Sequence, residues 1–301
     1  MIALIFPGQG AQAVGMGRGL AERFPAAREA FDEANAVLGY DLASICFEGP
    51  AEALVPTDVC QPAILATSVA AWRVAAEHGL GGDLVMGHSL GEYSALVAAG
   101  AIGYAEALRM VAERGAAMHA AGLERPGGMA ALIGPTDEEA EGLCAEAGEV
   151  WPANFNCPGQ VVASGSIAGI ERLLAIAAAR EIRSTVLPVG GAFHSPLMAP
   201  AAARLEPVLA AWTPLEPAPP FLSATTVRVE GPATLRDVLL GQLVSPVRFG
   251  AAVEAAVAMG ATRFVEVGPG RVLSGLVRRV RRDAAVSRIG EPEDLAALAP
   301  A

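Results

Sequence analysis

The stretch that most constrains this chain is short. Leu84, Val85 and Met86 run into Gly87-His88-Ser89-Leu90-Gly91, and a helical pattern follows over 90–99. A strand that ends in Gly-x-Ser-x-Gly and turns at once into a helix presents the serine on a strained turn. Glycines at 87 and 91 relieve the crowding on either side of it. The helix that follows aims its N-terminal amides at the site, where they favour a developing oxyanion. Gly-x-Ser-x-Gly by itself arises readily by chance in a chain with 34 glycines. The strand-turn-helix context is what makes Ser89 a candidate nucleophile.

Short apolar runs alternate with longer helical patterns around this point. Strands are expected over 2–6 and 84–86, with helices over 24–38, 64–78 and 90–99, an alternation that implies a mostly parallel sheet covered by helices. The middle reads differently. Strands over 129–133, 150–154, 161–164 and 185–189 and helices over 137–146 and 170–179 give the order β-α-β-β-α-β, the split βαβ of ferredoxin-like domains. The first pattern then resumes, with helices near 200–212 and 251–259 and strands over 221–225 and 264–267. The expected architecture is an α/β body formed by 1–123 and 191–301, with a small subdomain, 124–190, inserted into it.

Composition narrows the function classes. At 53% hydrophobic residues over 301 positions, the chain can bury a large core. Its net charge of -11 with only 21 Lys and Arg argues against nucleic acid, which is bound through clustered basic side chains. The one basic run, Arg278, Arg279, Arg281 and Arg282, suits the end of a helix or a docking patch for an acidic partner. Apolar stretches look interrupted before the roughly 18 residues a membrane span needs, and the first residues lack a basic leader. A cytoplasmic protein without membrane contact is expected. Cys46, Cys60, Cys144 and Cys157 show neither metal-ligand nor disulfide spacing and read as reduced core thiols.

A serine hydroxyl needs a base, and the chain has four histidines. His78 and His119 lie late in helices, and strand geometry turns His88 away from its neighbour Ser89. His194 follows an expected strand through a glycine-containing loop, at the strand end where α/β sheets keep catalytic groups. His194 is therefore the candidate base. The loop Phe6-Pro7-Gly8-Gln9-Gly10 could lend the Gln9 N–H to an oxyanion hole completed by Leu90. Its formal match to a dinucleotide fingerprint, Gly8-x-Gly10-x-x-Ala13, lacks the second strand with an acidic residue that such sites need. On the helix over 105–120, Arg114 falls about 50° from the centre of the apolar face. So near a buried face it needs an anion: either an internal Asp or Glu, or a substrate carboxylate held by the guanidinium.

Together these residues resemble the malonyl-CoA:acyl carrier protein transacylases and related acyltransferases of polyketide synthesis. Seven motifs carry the resemblance in order: FPGQG at 6–10, GHSLGEYSAL at 87–96, ERG at 113–115, NxNxPGQVV at 154–162, GAFHSPLM at 191–198, SPVRF at 245–249 and EVGPG at 266–270. The resemblance implies an α/β-hydrolase-like large domain with a ferredoxin-like insert. It implies Ser89 as nucleophile, His194 as general acid/base, the backbone amides of Gln9 and Leu90 as oxyanion donors and Arg114 as clamp for the malonyl carboxylate. It also implies a histidine oriented by a main-chain carbonyl, expected at Arg248, rather than by an acidic residue. Asn156 and Gln160 match cleft-lining positions, and Cys157 stands where many relatives have Ser.

The implied reaction is ping-pong transfer from malonyl-CoA to the phosphopantetheine thiol of an acyl carrier protein, in fatty-acid or polyketide synthesis, with no metal or tightly bound cofactor. Phe193 and Leu90 point to malonyl over methylmalonyl, though one methyl is worth only about 1–3 kcal/mol of discrimination. A discrete, monomeric enzyme acting in trans is expected. Two other classes compete: a hydrolase of the same ancestry, in which Arg114 would make less sense, and an inactive scaffold, disfavoured by the presence of both Ser89 and His194.

Overall fold

The computed structural model describes residues 1–298. Its ten strands are β1 (Ile2–Phe6), β2 (Leu84–Gly87), β3 (Gly127–Ile133), β4 (Val150–Cys157), β5 (Gln160–Ser166), β6 (Arg183–Val186), β7 (Phe221–Leu222), β8 (Val229–Glu230), β9 (Arg263–Val267) and β10 (Ala285–Ile289). The helices of the first half are α1 (Arg18–Arg23), α2 (Pro25–Leu38), α3 (Leu42–Glu48), α4 (Thr57–Glu77), α5 (Gly91–Ala98) and α6 (Tyr104–Glu124). Those of the second half are α7 (Asp137–Ala147), α8 (Ile167–Ala179), α9 (Ala199–Ala211), α10 (Leu235–Gly241), α11 (Phe249–Ala258) and α12 (Val272–Val280).

The strands form two sheets. The larger runs β10-β9-β1-β2-β7-β8 and is parallel except for the β7–β8 pair. Its central strands are apolar on both faces because both are covered. Leu4, Phe6 and Val85 pack toward the side of α2, α4 and α6, while Ala3, Ile5, Leu84 and Met86 pack toward α11 and α12. The smaller sheet runs β4-β5-β3-β6, is wholly antiparallel, and buries its own core against α7 and α8. Main-chain hydrogen bonds from Phe155 N to Val247 O (2.8 Å) and from Val247 N to Ala153 O (2.9 Å) join β4 to the segment before α11. The two sheets are thereby held on either side of the cleft that contains Ser89.

The differences from the sequence reading have local causes. Helix α4 begins at Thr57, well before 64, and accommodates Pro62 in its second turn. It is the one helix among the described residues long and apolar enough to cross a membrane, with mean hydropathy 1.2, so the apolar stretches are not all interrupted early; 78% of that stretch is buried in the fold. The strand expected over 185–189 ends at Val186, and Leu187 and Val189 turn in to line the cleft. The strand expected over 221–225 stops at Leu222, because the Ser223 hydroxyl accepts from the N–H of Thr225 and Thr226 and closes a turn. Helices α3 and α10 and strands β8 and β10 are short and carry no clear periodicity in the sequence. The four cysteines are buried and unpaired.

Candidate functional site

The turn that carries Ser89 is fixed by its flanking glycines. Ser89 has φ 51°, in the left-handed region that costs a residue with a side chain strain energy. A Cβ on Gly87 would lie 2.1 Å from the carbonyl carbon of Gly91, and one on Gly91 would lie 2.0 Å from the carbonyl oxygen of Phe6. No side chain fits at either place, so β1, β2 and the start of α5 pack backbone to backbone. The Ser89 carbonyl accepts from Glu92 N (3.0 Å) and from Gln242 Nε2 (3.0 Å), which pins the strained turn from both sides.

His194 comes from far along the chain and also has a positive φ, 58°. Its Nδ1 lies 2.8 Å from the main-chain oxygen of Gln242, and its Nε2 lies 2.8 Å from Ser89 Oγ. A carbonyl can only accept, so Nδ1 carries the proton and the bare Nε2 accepts from the Ser89 hydroxyl. This is the tautomer a general base requires. Burial, and after it the positive Arg114, push the imidazole down to about 3, while its hydrogen bond to the Gln242 backbone works the other way. His194 is therefore held neutral, and the tautomer fixed by Gln242 leaves Nε2 as the acceptor.

The carbonyl that meets His194 is not that of Arg248, as the sequence suggested. Arg248 N donates to Ala224 O (2.6 Å) and its own carbonyl accepts from Ala252 N (2.9 Å) inside the first turn of α11. That carbonyl is already engaged. Gln242 immediately follows α10, where helix carbonyls lose their intrahelical partners and are free to accept from elsewhere. The Arg248 side chain lies over the Phe155 ring, 5.1 Å from its centroid.

Arg114 is fully buried on α6, yet no carboxylate among the described residues forms an ion pair with it. Its Nη1 donates to Gln61 Oε1 (2.6 Å), and its Nη2 donates to Gln242 Oε1 (2.7 Å) and to Ser89 Oγ (3.1 Å), while Nε has no partner. Of the two anions the sequence left open, the internal one is absent at contact distance. A buried cation held only by neutral groups keeps most of its attraction for an incoming anion. On the far side of Gln242 sits Glu92, buried, whose carboxyl accepts from Ser223 Oγ (3.0 Å), Ala224 N (2.7 Å) and Gln242 Nε2 (2.7 Å). Burial pushes this carboxyl up to about 7 against the opposing effect of those donors and of Arg114.

These groups surround a cavity of about 90 Å³ lined by Gln9, Gln61, His88, Ser89, Leu90, Arg114, Met118, Met129, Asn154, Leu187, Val189, Phe193 and His194. The main-chain N–H groups of Gln9 and Leu90 have no acceptor among the described residues and are free to donate to a ligand. The Gln9 side chain accepts from Thr57 Oγ1 (2.8 Å), which in turn accepts from Gln61 Nε2 (2.9 Å), so a chain of hydrogen bonds runs from the Gln9 loop to Arg114. Phe193 lines the cavity as expected, but Asn156 and Gln160 do not. Asn156 pairs with His88 Nε2 (2.9 Å), and Gln160 accepts from Cys157 Sγ (3.6 Å) at the β4–β5 turn. Regular alternation would put Asn154 and Asn156 on one face of β4; the register shift between Phe155 and Cys157 breaks that alternation, and Asn154 alone takes the cavity-facing place.

The sequence reading missed Gln242, Gln61 and Glu92. Gln242 carries no local signal, since it follows a short helix of ordinary composition. Glu92 had one: it is the only charged side chain in the apolar helix over 90–99.

Residues 3–291 match the acyl transferase domain family. The malonyl CoA-acyl carrier protein transacylase of Bacillus subtilis (strain 168) is 44% identical over 303 residues, covering 98% of this chain and 95% of that protein. The crystal structure of an acyl-carrier-protein S-malonyltransferase from Burkholderia pseudomallei 1710b superposes with a TM-score of 0.95 at 39% identity, covering 99% of each chain. A malonyl-transacylase solved in complex with its type II polyketide-synthase acyl-carrier protein superposes equally well, TM-score 0.95 at 40% identity, covering 99% of this chain and 98% of that one. With a serine, a carbonyl-oriented histidine and an arginine free of carboxylates around one small cavity, and with these relatives along nearly its whole length, this chain belongs to the acyl transferase family, among the malonyl CoA-acyl carrier protein transacylases.

Proposed function

We propose that this protein moves a malonyl group from malonyl-CoA to the phosphopantetheine thiol of an acyl carrier protein through a Ser89 acyl-enzyme. One observation carries the reading: Ser89 Oγ lies 2.8 Å from His194 Nε2 and 3.1 Å from an Arg114 guanidinium that forms an ion pair with no carboxylate among the described residues. His194 takes the Ser89 proton as Oγ attacks the thioester carbonyl, the amides of Gln9 and Leu90 stabilise the oxyanion, and CoA leaves as the thiol with that proton. The carrier thiol then gives its proton to His194 and attacks the serine ester, and Ser89 leaves with the proton restored. Arg114 holds the malonyl carboxylate throughout, and Phe193 and Leu90 fill the space a 2-methyl group would need. These steps call for no metal and no tightly bound cofactor.

The same reading extends to organisation. The parallel sheet with its serine turn is α/β-hydrolase-like, formed by 1–123 and 191–301. The strand order β4-β5-β3-β6 supports a ferredoxin-like insert over 124–190. The enzyme acts as a cytoplasmic monomer on a separate carrier protein, in fatty-acid or polyketide synthesis.

Intact-mass measurement tests the proposal. Malonyl-CoA should add one malonyl group to the protein, and holo carrier protein should then remove it and gain the same mass. Free malonate without loaded carrier would point instead to a hydrolase. Replacing Arg114 with Ala should suppress malonyl transfer about 100-fold or more while changing acetyl transfer far less. Equal losses would remove Arg114 from the carboxylate site.

A further inference from the structure

Four functional groups meet at one residue. Gln242 offers its main-chain oxygen to His194 Nδ1, its Oε1 to Arg114 Nη2, and its Nε2 to both Ser89 O and Glu92 Oε2. Its side-chain amide therefore has a required orientation: with oxygen and nitrogen exchanged, an N–H₂ would face the guanidinium and an oxygen would face the Ser89 carbonyl. Arg114 alone cannot enforce that choice while it is drawn toward an incoming carboxylate. Glu92 can. Its Oε1 is held by the fixed N–H of Ala224 and by the Ser223 hydroxyl, which leaves Oε2 as an immobile acceptor facing Gln242. The carboxyl is wholly buried and plays no part in the transfer steps.

We infer that Glu92 is a positioning residue that locks the Gln242 amide and, through it, sets Arg114 to grip the malonyl carboxylate. The inference rests on the reading of Arg114 as the carboxylate clamp. It assigns to the acidic residue three positions after the nucleophile a role in acyl-group selectivity, exerted through one intervening amide and not by contact with substrate. It also accounts for a buried carboxyl that makes no ion pair with the arginine nearby. A direct Glu92–Arg114 pair would satisfy the guanidinium and weaken its hold on substrate, whereas the interposed amide fixes the arginine without neutralising it.

The isosteric substitution Glu92→Gln tests this. The Ala224 N–H requires an oxygen opposite it, so the new N–H₂ faces Gln242, whose amide is driven to turn. Arg114 then meets a donor in place of its acceptor. A hydrogen bond to a charged group is at stake, so kcat/KM for malonyl-CoA should fall about 10- to 100-fold. Acetyl-CoA, which offers Arg114 no carboxylate, should lose clearly less, its share of the loss reporting the Ser89 carbonyl deprived of the Gln242 donor. In an Arg114→Ala background the same substitution should leave the malonyl-to-acetyl ratio where Arg114→Ala put it. An unchanged ratio in Glu92→Gln, or equal losses for both substrates, would overturn the role of Glu92 while leaving the clamp standing on the Arg114→Ala result. If Glu92→Gln does not accumulate folded, Glu92→Asp shortens the reach of the carboxylate and should move the same ratio in the same direction; an unchanged ratio there overturns the inference equally.

Discussion

The serine turn and the Gln242 junction hold their side chains in opposite ways. The turn is continuous: β2, three residues and α5 specify it, and its rigidity is steric, with Gly87 and Gly91 leaving no space that a Cβ could share. The junction draws Gln61, Glu92, Arg114, His194 and Gln242 from four helices or their ends and one loop, and its rigidity comes from directed hydrogen bonds among buried polar groups. The first arrangement positions a nucleophile whatever the chemistry around it. The second sets protonation and charge, which decide whether that nucleophile works and on what.

Breaking the turn chemically should have the largest effect. Ser89→Ala keeps the backbone and removes the attacking oxygen, so transfer should fall by about 10⁴-fold or more and the malonyl mass increment should vanish. Breaking it sterically should cost stability. Gly91→Ala drives a Cβ into the Phe6 carbonyl and should lower the unfolding free energy by about 3 kcal/mol or more, read from chemical denaturation. A neutral outcome would mean that the backbone contact is softer than it looks.

The junction should respond in protonation. His194 sits at about 3 against an ordinary 6.5, so its neutral form contributes stability that is fully present above pH about 6.5 and lost as pH falls toward 3. Replacing Arg114 with Gln removes the second-largest cause of that depression and leaves burial, so the His194 pKa should rise part of the way back. Titration of the imidazole nitrogens by NMR reads this directly. An unmoved His194 would mean that burial alone sets its charge state and that the junction acts on substrate only.

The same contrast explains what could be read before folding. Ser89, its flanking glycines and the Leu90 amide follow from residues that adjoin one another, as does the β-α-β-β-α-β order of the smaller sheet. His194 and Arg114 were within reach, the first by its loop position and the second because a cation near an apolar helix face is anomalous. Arg248 was misassigned because a motif match points to a segment and not to the carbonyl within reach that is still unbonded: the Arg248 oxygen is used within α11, while that of Gln242 is left free at the end of α10. Asn156 and Gln160 were misread for a related reason, since a residue matched to a cleft-lining position can still face its neighbours. Asn156 meets His88 and Gln160 meets Cys157.

By itself the sequence determined the alternation of elements, the strained serine turn and the residue types the chemistry needs. Steric exclusion and hydrophobic periodicity act over a few residues, and both are written in the order of the chain. Only the tertiary structure decided which proton His194 carries, that Arg114 forms no ion pair among the described residues, and that one glutamine amide stands between it and Glu92. Those properties depend on the direction of hydrogen bonds between groups up to 153 positions apart, from Ser89 to Gln242, and in a water-excluded site direction is what separates a catalytic arrangement from a merely polar one.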